Sequence, residues 1–223
     1  MTLNANSIEQ LAMWCLKTDA IAGVRETAHH DFFGLDEPGE MHYLGEAGSP
    51  IIMERRFLGW FTLTFKFADG RHPAEIAASN ILTGSELNSA IDLINNSRYI
   101  LGIISMVTPG RGLILRLEDE EFSIQSRQLS RILNRNDGLY AHIIPDGRRS
   151  WLVGPGWMQW PMSITRNIKL QLKKYQLNPI DVERMLQQRS NYLESRTDIE
   201  PSHFDIQNAA VSNLHANETT GEE

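Results

Sequence analysis

The amino-acid sequence predicts an α+β fold: a helical N-terminal arm, a central β-rich barrel-like domain, two C-terminal helices and a disordered acidic tail. Three observations lead to this prediction. Apolar residues recur at helical spacing before Phe57 and again after Met162. Between these points they alternate, or form short runs separated by glycine-containing turns. Residues 196–223 are polar and acidic.

Four parts follow from these changes of pattern. Residues 1–50 form a helical arm and a loop, and residues 51–162 form a mixed α/β region with a small β-barrel-like part. Residues 163–195 form a helix pair, and residues 196–223 form the tail. The whole chain has 223 residues, of which 41% are apolar, so it can bury a core without disulfides.

Composition excludes several classes of protein. The only cysteine, Cys15, allows neither a disulfide framework nor a multi-cysteine zinc site. No run approaches the roughly 18–20 apolar residues of a membrane helix. The N terminus lacks the basic and apolar regions of a secretory signal. We therefore expect a soluble cytoplasmic protein that does not associate with membranes.

The helical arm is predicted over residues 7–33. Ser7 is a candidate N-cap, and Gly34 is a typical residue to end a helix. A break is expected near Thr18 and Asp19, where a second helix can be capped. Residues 34–50, which are rich in Gly, Pro and acidic residues, are predicted to form a loop.

One strand and two short helices are expected next. Residues 57–67 are aromatic and β-branched and alternate in their second half, which favours a strand. A helix is predicted from Pro73 to about Leu82, because proline is tolerated in the first turn. A second helix is predicted over residues 85–96, with its apolar residues on one face.

From Tyr99 to Met162 the pattern is that of several short strands. Turn signals occur at residues 108–112, 136–138 and 145–148, so the strands between them are only a few residues long. Short strands at such close spacing are typical of a small barrel, whose closure also removes exposed sheet edges.

Residues 163–195 are predicted to contain two helices. The first carries apolar residues on one arc and basic residues on the opposite arc. The second begins at Asn178, with Pro179 in its first position and Asp181 near the positive end of its dipole.

Five short motifs follow one another within the central region: FLGWF (57–61), DGRHPAE (69–75), SRY (97–99), PGRGL (109–113) and LYAHIIP (139–145). Together they resemble an uncharacterised bacterial domain that is found in proteins with a C-terminal SEC-C zinc module. The resemblance covers about half of the chain, and it implies an α+β domain with a barrel-like part and no assigned catalytic residue. Because the chain has one cysteine, it cannot supply the SEC-C metal ligands itself.

Charge is distributed unevenly along the chain. Residues 1–124 contain 9 basic and 17 acidic residues, and residues 176–223 contain 3 basic and 9 acidic residues. Residues 125–175 contain 9 basic and only 2 acidic residues. A basic centre between acidic ends indicates either a surface for a polyanion or a basic face that pairs with the protein's own acidic segments.

Basic and aromatic residues lie close together within this centre. Arginine and lysine neutralise phosphates, and aromatic rings stack on unpaired bases. We therefore predict a non-enzymatic binding or adaptor protein in a nucleic-acid-associated process, which contacts single-stranded nucleic acid through a basic Trp/Arg-rich face. The predicted contact residues are Arg148, Arg149, Trp151, Trp157, Trp160, Arg166, Lys169 and Lys173.

Two other interpretations remain open. Tryptophans in a β-region also fill cores or barrel ends. In that case the chain is a protein–protein regulator that binds a basic partner through its acidic segments, or it assembles into a homo-oligomer. The third interpretation is a metal-dependent enzyme, which would need Glu26, His29 and His30 to converge with a distant carboxylate.

The sequence contains no decisive catalytic motif, and we predict no cofactor, no catalytic residue and no metal ligand. Cys15 lies on an apolar helix face, where a cysteine is more often a small core residue than a nucleophile. The tail offers a different role. Residues 196–223 hold one basic and six acidic residues, so the tail could dock a partner or fold back on the basic helix that carries Arg166, Lys169 and Lys173. We predict that it folds back on this helix and masks it.

Overall fold

The computed structural model describes residues 5–34, 49–160 and 178–184. The helices of these residues precede the strands, apart from one short helix inside the strand region and a final helical segment over 179–184. They are α1 (Ala5–Lys17), a 3-10 turn (Asp19–Ile21), α2 (Ala22–Phe33), α3 (Pro50–Leu63), α4 (Pro73–Ile81), α5 (Gly84–Asn95) and α6 (Leu129–Ile132). None of the described helices is long and apolar enough to cross a membrane.

The helical arm is confirmed, including its break. Thr18 ends the first helix and caps the 3-10 turn, where its hydroxyl oxygen accepts a hydrogen bond from the Ala20 amide at 3.4 Å. Gly34 ends α2 with a φ of 70°, the left-handed conformation that glycine adopts at little cost. The arm begins at Ala5, two residues earlier than the Ser7 cap predicted. The predicted loop over 34–50 lies mostly outside the described residues.

The prediction of a strand over residues 57–67 is wrong. Residues 57–63 belong to α3, in which Pro50 occupies the first turn and Met53, Phe57 and Phe61 recur every four residues. Every residue from 56 to 63 is buried. A helix that is buried on all sides shows no amphipathic period, so the alternation of Thr62 with apolar neighbours imitated a strand.

The two short helices that follow are confirmed. Pro73 begins α4, and the Glu75 carboxylate accepts a hydrogen bond from the His72 amide at 2.6 Å, which closes its N-terminus. The other oxygen of Glu75 accepts a hydrogen bond from the Asn95 amide group at 3.1 Å, so the same side chain joins α4 to the end of α5.

The strand region forms a closed barrel, as predicted. Its strands are β1 (Arg98–Thr108), β2 (Gly112–Leu117), β3 (Glu120–Ile124), β4 (Gly138–Pro145), β5 (Trp151–Val153) and β6 (Met158–Trp160). Five of them close in the order β1-β2-β3-β5-β4, since β4 pairs back onto β1. The β3–β5 pair is parallel and the other pairs are antiparallel. Strand β6 adds to the edge of β4 beyond β5.

Strand β1 pairs with two neighbouring strands. Its first half, Arg98–Ile103, pairs with β4, and its second half, from Ile103 to Thr108, pairs with β2. A register shift between Ile104 and Met106 marks a bulge in the second half. Bulges increase local twist and bend a strand, which allows one strand to turn from one side of the barrel to the other.

Two hydrophobic cores meet at β4. Alternate residues of this strand point into the barrel (Leu139, Ala141 and Ile143). Tyr140 and Ile144, which point to the other side of the strand, belong to the core that α1–α5 form outside the barrel. Strand β4 is therefore covered on both sides, and the helices pack against one wall of the barrel.

The predicted start of the last helix is confirmed. The Asn178 side-chain oxygen accepts a hydrogen bond from the Asp181 amide at 3.0 Å, as an N-cap does. Further along, Glu183 forms a two-bond ion pair with Arg56 of α3, at 2.7 and 2.8 Å. Both side chains are only 2% exposed, so this buried pair fixes the segment to the helical core. The rest of the predicted helix pair and the tail lie outside the described residues.

Candidate nucleic-acid interface

One wall of the barrel is formed by β2, by β3 and by the second half of β1, which pairs with β2. Its outward side chains are arranged by the strand register in two rows across the three strands. All of them are exposed or half-exposed. We call this surface the open face; it consists of Met106, Ile114 and Ser123 in one row and Ile103, Arg116 and Glu121 in the other.

The turn between β1 and β2 carries Arg111 at one end of this face. Gly110 has a φ of 75°, which makes the tight turn possible. A Cβ at Gly112 would collide with the carbonyl oxygen of Ile124. Because glycine has no Cβ, the turn lies directly against the end of β3. The guanidinium group of Arg131 on α6 lies 3.9 Å from the position that a Cβ at residue 110 would occupy.

The turn between β4 and β5 carries Arg148 and Arg149. Its shape depends on Asp146, whose carboxylate accepts hydrogen bonds from the Arg148 amide at 2.8 Å, the Ser150 amide at 3.2 Å and the Ser150 hydroxyl. Burial alone would raise the pKa of Asp146, but these hydrogen bonds outweigh it and lower the pKa. The carboxylate is thus held inside the turn, while both arginine side chains are exposed.

These two turns approach each other at the end of β3. Leu113 of β2 pairs with Ile124 on one side, and Trp151 of β5 pairs with Ile124 on the other. The Gln125 amide extends the pairing of β3 with β5, because it donates a hydrogen bond to the Trp151 carbonyl oxygen at 3.2 Å. The strands that carry the turns are therefore separated by two strand spacings, about 10 Å.

Positive charge concentrates around this point. Five arginines are exposed in the two turns and in the segment from β3 to α6, where Asp146 is the only acidic residue. Within the described part of the chain, none of the five forms an ion pair. We call them the five loop arginines: Arg111, Arg127, Arg131, Arg148 and Arg149.

The tryptophans predicted to stack on bases have packing roles where the structure describes them. Trp151 is half-buried and meets Phe122 edge to face, with ring centres 5.2 Å apart. The Arg98 guanidinium lies over both rings and pairs with Glu120 at 3.0 Å, which closes this end of the barrel. Trp157 also packs against the barrel core.

Of the eight predicted contact residues, Arg148 and Arg149 are exposed in the turn between β4 and β5. Arg166, Lys169 and Lys173 lie outside the described residues, as does the side chain of Trp160. Three loop arginines were not predicted. Arg127 and Arg131 belong to the basic centre, so the charge distribution could have indicated them. For Arg111, the only signal in the sequence was its position in a turn between two glycines.

The metal-dependent interpretation required Glu26, His29 and His30 to converge with a distant carboxylate in a geometry that could hold a metal ion. His29 forms a hydrogen bond with Glu54 of α3 at 2.8 Å, and its ring packs edge-on against Phe33 and Phe57. Glu26, His29, His30 and Glu54 line one cavity of about 340 Å³, together with Phe57. In residues 5–34, 49–160 and 178–184, no three His, Cys, Asp or Glu side chains are grouped to hold a metal ion.

Cys15 is a core residue. It is completely buried in α1, and burial raises the pKa of its thiol to about 12. Since the thiolate is the nucleophile, a thiol with this pKa is unreactive near neutral pH. The Arg25 guanidinium donates hydrogen bonds to the carbonyl oxygens of Cys15 and Thr18, at 2.9 and 3.2 Å.

No protein family model, curated protein or solved structure matches this chain. The connectivity of the barrel is nevertheless informative. Five strands close in the order β1-β2-β3-β5-β4, with a helix between β3 and β4, and in strand number this barrel resembles the OB-fold. Function must therefore be inferred from this topology and from the side chains on the barrel.

Proposed function

We propose that the chain is a non-enzymatic binding or adaptor protein that holds single-stranded nucleic acid across the open face. The observation that supports this proposal is the position of the five loop arginines. They lie on both sides of the end of β3, they are exposed, and the described structure gives them no acidic partner. A polyanion that crosses β3 would meet positive charge at both ends of its path.

Barrel topology supports the same location. OB-fold barrels bind oligonucleotides and oligosaccharides on the face of their second and third strands, between the β1–β2 and β4–β5 loops. In this chain those two loops carry Arg111, Arg148 and Arg149. Arginine in both loops favours an oligonucleotide over a neutral oligosaccharide, because only the oligonucleotide has phosphates.

The composition of the open face indicates how the ligand is read. None of its six outward residues is aromatic, so the described face offers no ring on which a base could stack. Arginine contacts to phosphates position a strand but carry no sequence information. We therefore propose binding through the backbone, with little preference for sequence. Arg166, Lys169 and Lys173 remain predicted contacts of the same ligand.

The test is the salt dependence of binding to a fluorescent oligothymidylate of about 12 nucleotides, a length that one OB-fold can cover. Fluorescence anisotropy would be measured between about 50 and 200 mM salt. Replacing Arg111, Arg148 and Arg149 together with Gln should weaken binding roughly tenfold at low salt. It should also reduce the slope of log affinity against log salt by about 2, because each lost phosphate contact on a single strand contributes about 0.7.

A matched control uses two exposed arginines outside the barrel, Arg55 and Arg71. Replacing both with Gln removes two positive charges, against three in the test variant. We expect the salt slope to stay within 0.5 of the unmodified protein, about the precision needed to resolve one contact. If both variants lose affinity equally, the attraction is a property of overall charge, and the proposed site is wrong. If the unmodified protein does not bind at low salt, the proposed function is wrong.

A further inference from the structure

We infer that the acidic C-terminal segment, residues 197–223, docks on the five loop arginines of its own chain and competes there with other polyanions. The inference uses the same surface as the proposed function, but it concerns a different occupant. It also replaces the target predicted from sequence, because the described structure locates a cluster of exposed arginines on the barrel itself.

The receiving surface combines charge with exposed apolar groups. Met106 is 48% exposed and lies opposite Ile114 in the register of β1 and β2. Arg111 follows in the adjoining turn, and Arg116 lies two residues beyond Ile114 on the same side of β2. A peptide with neighbouring acidic and apolar side chains can therefore satisfy both kinds of group at once.

The C-terminal segment has this composition. It contains six acidic residues and no Lys or Arg. Asp198 and Glu200 flank Ile199, and Asp205 lies between Phe204 and Ile206. Its charge is opposite to that of the loop arginines, and its apolar residues are spaced among the acids.

The tether is long enough for the contact. The described structure ends at Arg184, fourteen residues before Asp198. If the helix continues to residue 195 as predicted, it advances about 17 Å beyond Arg184, at about 1.5 Å per residue. The 28 residues after it can span up to roughly 90 Å when extended, at about 3.3 Å per residue. A compact domain of this size has a radius of gyration of about 17 Å, so the segment can reach any side of it. Tethering gives the segment an effective concentration on the order of millimolar, which makes even a weak contact well populated.

The test measures whether the arginines are covered. The full chain would be treated with phenylglyoxal, which modifies accessible guanidinium groups, and the rate at each arginine would be read by peptide mass spectrometry. A second full-length chain would carry Asn or Gln at all six acidic positions of the segment. We expect modification of Arg111, Arg148 and Arg149 to be at least threefold faster in this variant.

Internal controls are present in every sample. Arg55 and Arg71 are exposed on the helical part, and their modification rates should be the same in both chains. At about 1 M salt the unmodified chain should approach the variant, because the Debye length falls to about 3 Å. Equal rates at the loop arginines in the two chains at low salt would overturn the inference. Protection that disappears on dilution would also overturn it, since the contact would then be between molecules.

Failure of this inference can be distinguished from failure of the proposed function. The loop arginines could be protected in the unmodified chain while the variant with the neutralised segment binds no oligonucleotide. That result would support the docking and reject nucleic acid as the ligand. Tight oligonucleotide binding with unprotected arginines would reject the docking alone. If both hold, neutralising the segment should increase oligonucleotide affinity at low salt, and the increase should shrink as salt rises.

Discussion

His142 shows how a titratable side chain is used for structure at the junction of barrel and helices. Its Nε2 lies 2.7 Å from the Ser97 hydroxyl and its Nδ1 lies 3.0 Å from the Thr64 hydroxyl. Because Ser97 donates its proton to the Ile94 carbonyl, it accepts from Nε2–H, and Nδ1 accepts from Thr64. Both nitrogens of the neutral ring are therefore satisfied. Burial, together with the nearby His72, lowers the pKa of His142 to about 3.

This arrangement makes the protein sensitive to acid. In the unfolded chain His142 has an ordinary pKa of about 6.5, so below that pH the unfolded state binds a proton that the folded state does not. The stability contributed by the neutral ring is complete above pH 6.5 and is lost as the pH falls towards 3. At about pH 5 the loss amounts to about 2 kcal/mol. Urea unfolding at about pH 7.5 and pH 5 measures it.

The substitution His142→Gln removes this titration, so the loss of stability between the two pH values should shrink by about 2 kcal/mol. His30→Gln is the matched control, since His30 is exposed on α2 and its replacement should leave the loss unchanged. An NMR titration of the His142 ring in the unmodified protein is independent of any variant. A ring that titrates near pH 6.5 would contradict the expectation.

At the scale of elements, the contact between α3 and the segment after β5 depends on a helical glycine. A Cβ at Gly59 would collide with the carbonyl oxygen of Pro155, so the helix and the segment touch backbone to backbone. Alanine normally stabilises a helix by about 0.5–1 kcal/mol relative to glycine. Here Gly59→Ala should destabilise the protein by about 1–3 kcal/mol, because overpacking outweighs the gain in helix propensity.

Gly23 provides the control for this prediction. It lies within α2, it is exposed, and nothing surrounds the position of its missing Cβ within 4 Å. Gly23→Ala should therefore stabilise the protein by about 0.5–1 kcal/mol. The measurement is urea unfolding of both variants, and stabilisation of both would show that the contact at Gly59 has no energetic role.

The same element shows what the sequence could and could not predict. Helices with one exposed side, such as α1 and α5, were located from their apolar spacing, and Asn178 and Gly34 marked helix ends correctly. The second half of α3 was missed because burial on all sides removes the pattern on which such predictions depend. The barrel was predicted from its turns, but the pairing of β3 with β5 depends on contacts between distant residues that no local signal reveals.

The candidate site was predictable to the same extent: residues beside a local sequence signal were identified, and residues joined only by tertiary contacts were not. Arg148 and Arg149 were identified because they lie next to a recognisable turn within a basic stretch. Arg111 is distant from them in sequence and joins them only because β2 and β5 both pair with β3. Trp151 was assigned to stacking on a base, but its edge-to-face contact with Phe122 depends on closure of the barrel. Tertiary proximity, rather than composition, determines which basic residues form a surface.

At the scale of the whole molecule, the two cores share a strand. Leu139, Ala141 and Ile143 fill the barrel, while Tyr140 and Ile144 fill the helical core from the same segment of chain. The buried pair between Arg56 and Glu183 joins the last described helical segment to α3 in the helical core. The barrel cannot lose β4 and remain closed, and the helical core cannot lose β4 without exposing part of its apolar surface. We therefore expect the helical part and the barrel to unfold as one cooperative unit.

A substitution deep in the helical part tests this expectation. Phe32 is buried among Phe33, Phe57 and Trp60, and it makes no contribution to the barrel core. Phe32→Leu should cost about 1–2 kcal/mol, because it removes part of a buried ring. If unfolding is cooperative, the slowest amide protons of β2 and β3 must exchange through the same global opening, so they should exchange roughly 5- to 30-fold faster in the variant. Ile51→Ala, at a side chain that is 75% exposed on α3, should leave their exchange unchanged. Unchanged exchange in β2 and β3 of the Phe32 variant, with faster exchange confined to α1–α3, would show instead that the barrel is an independent folding unit that retains β4 when the helices open.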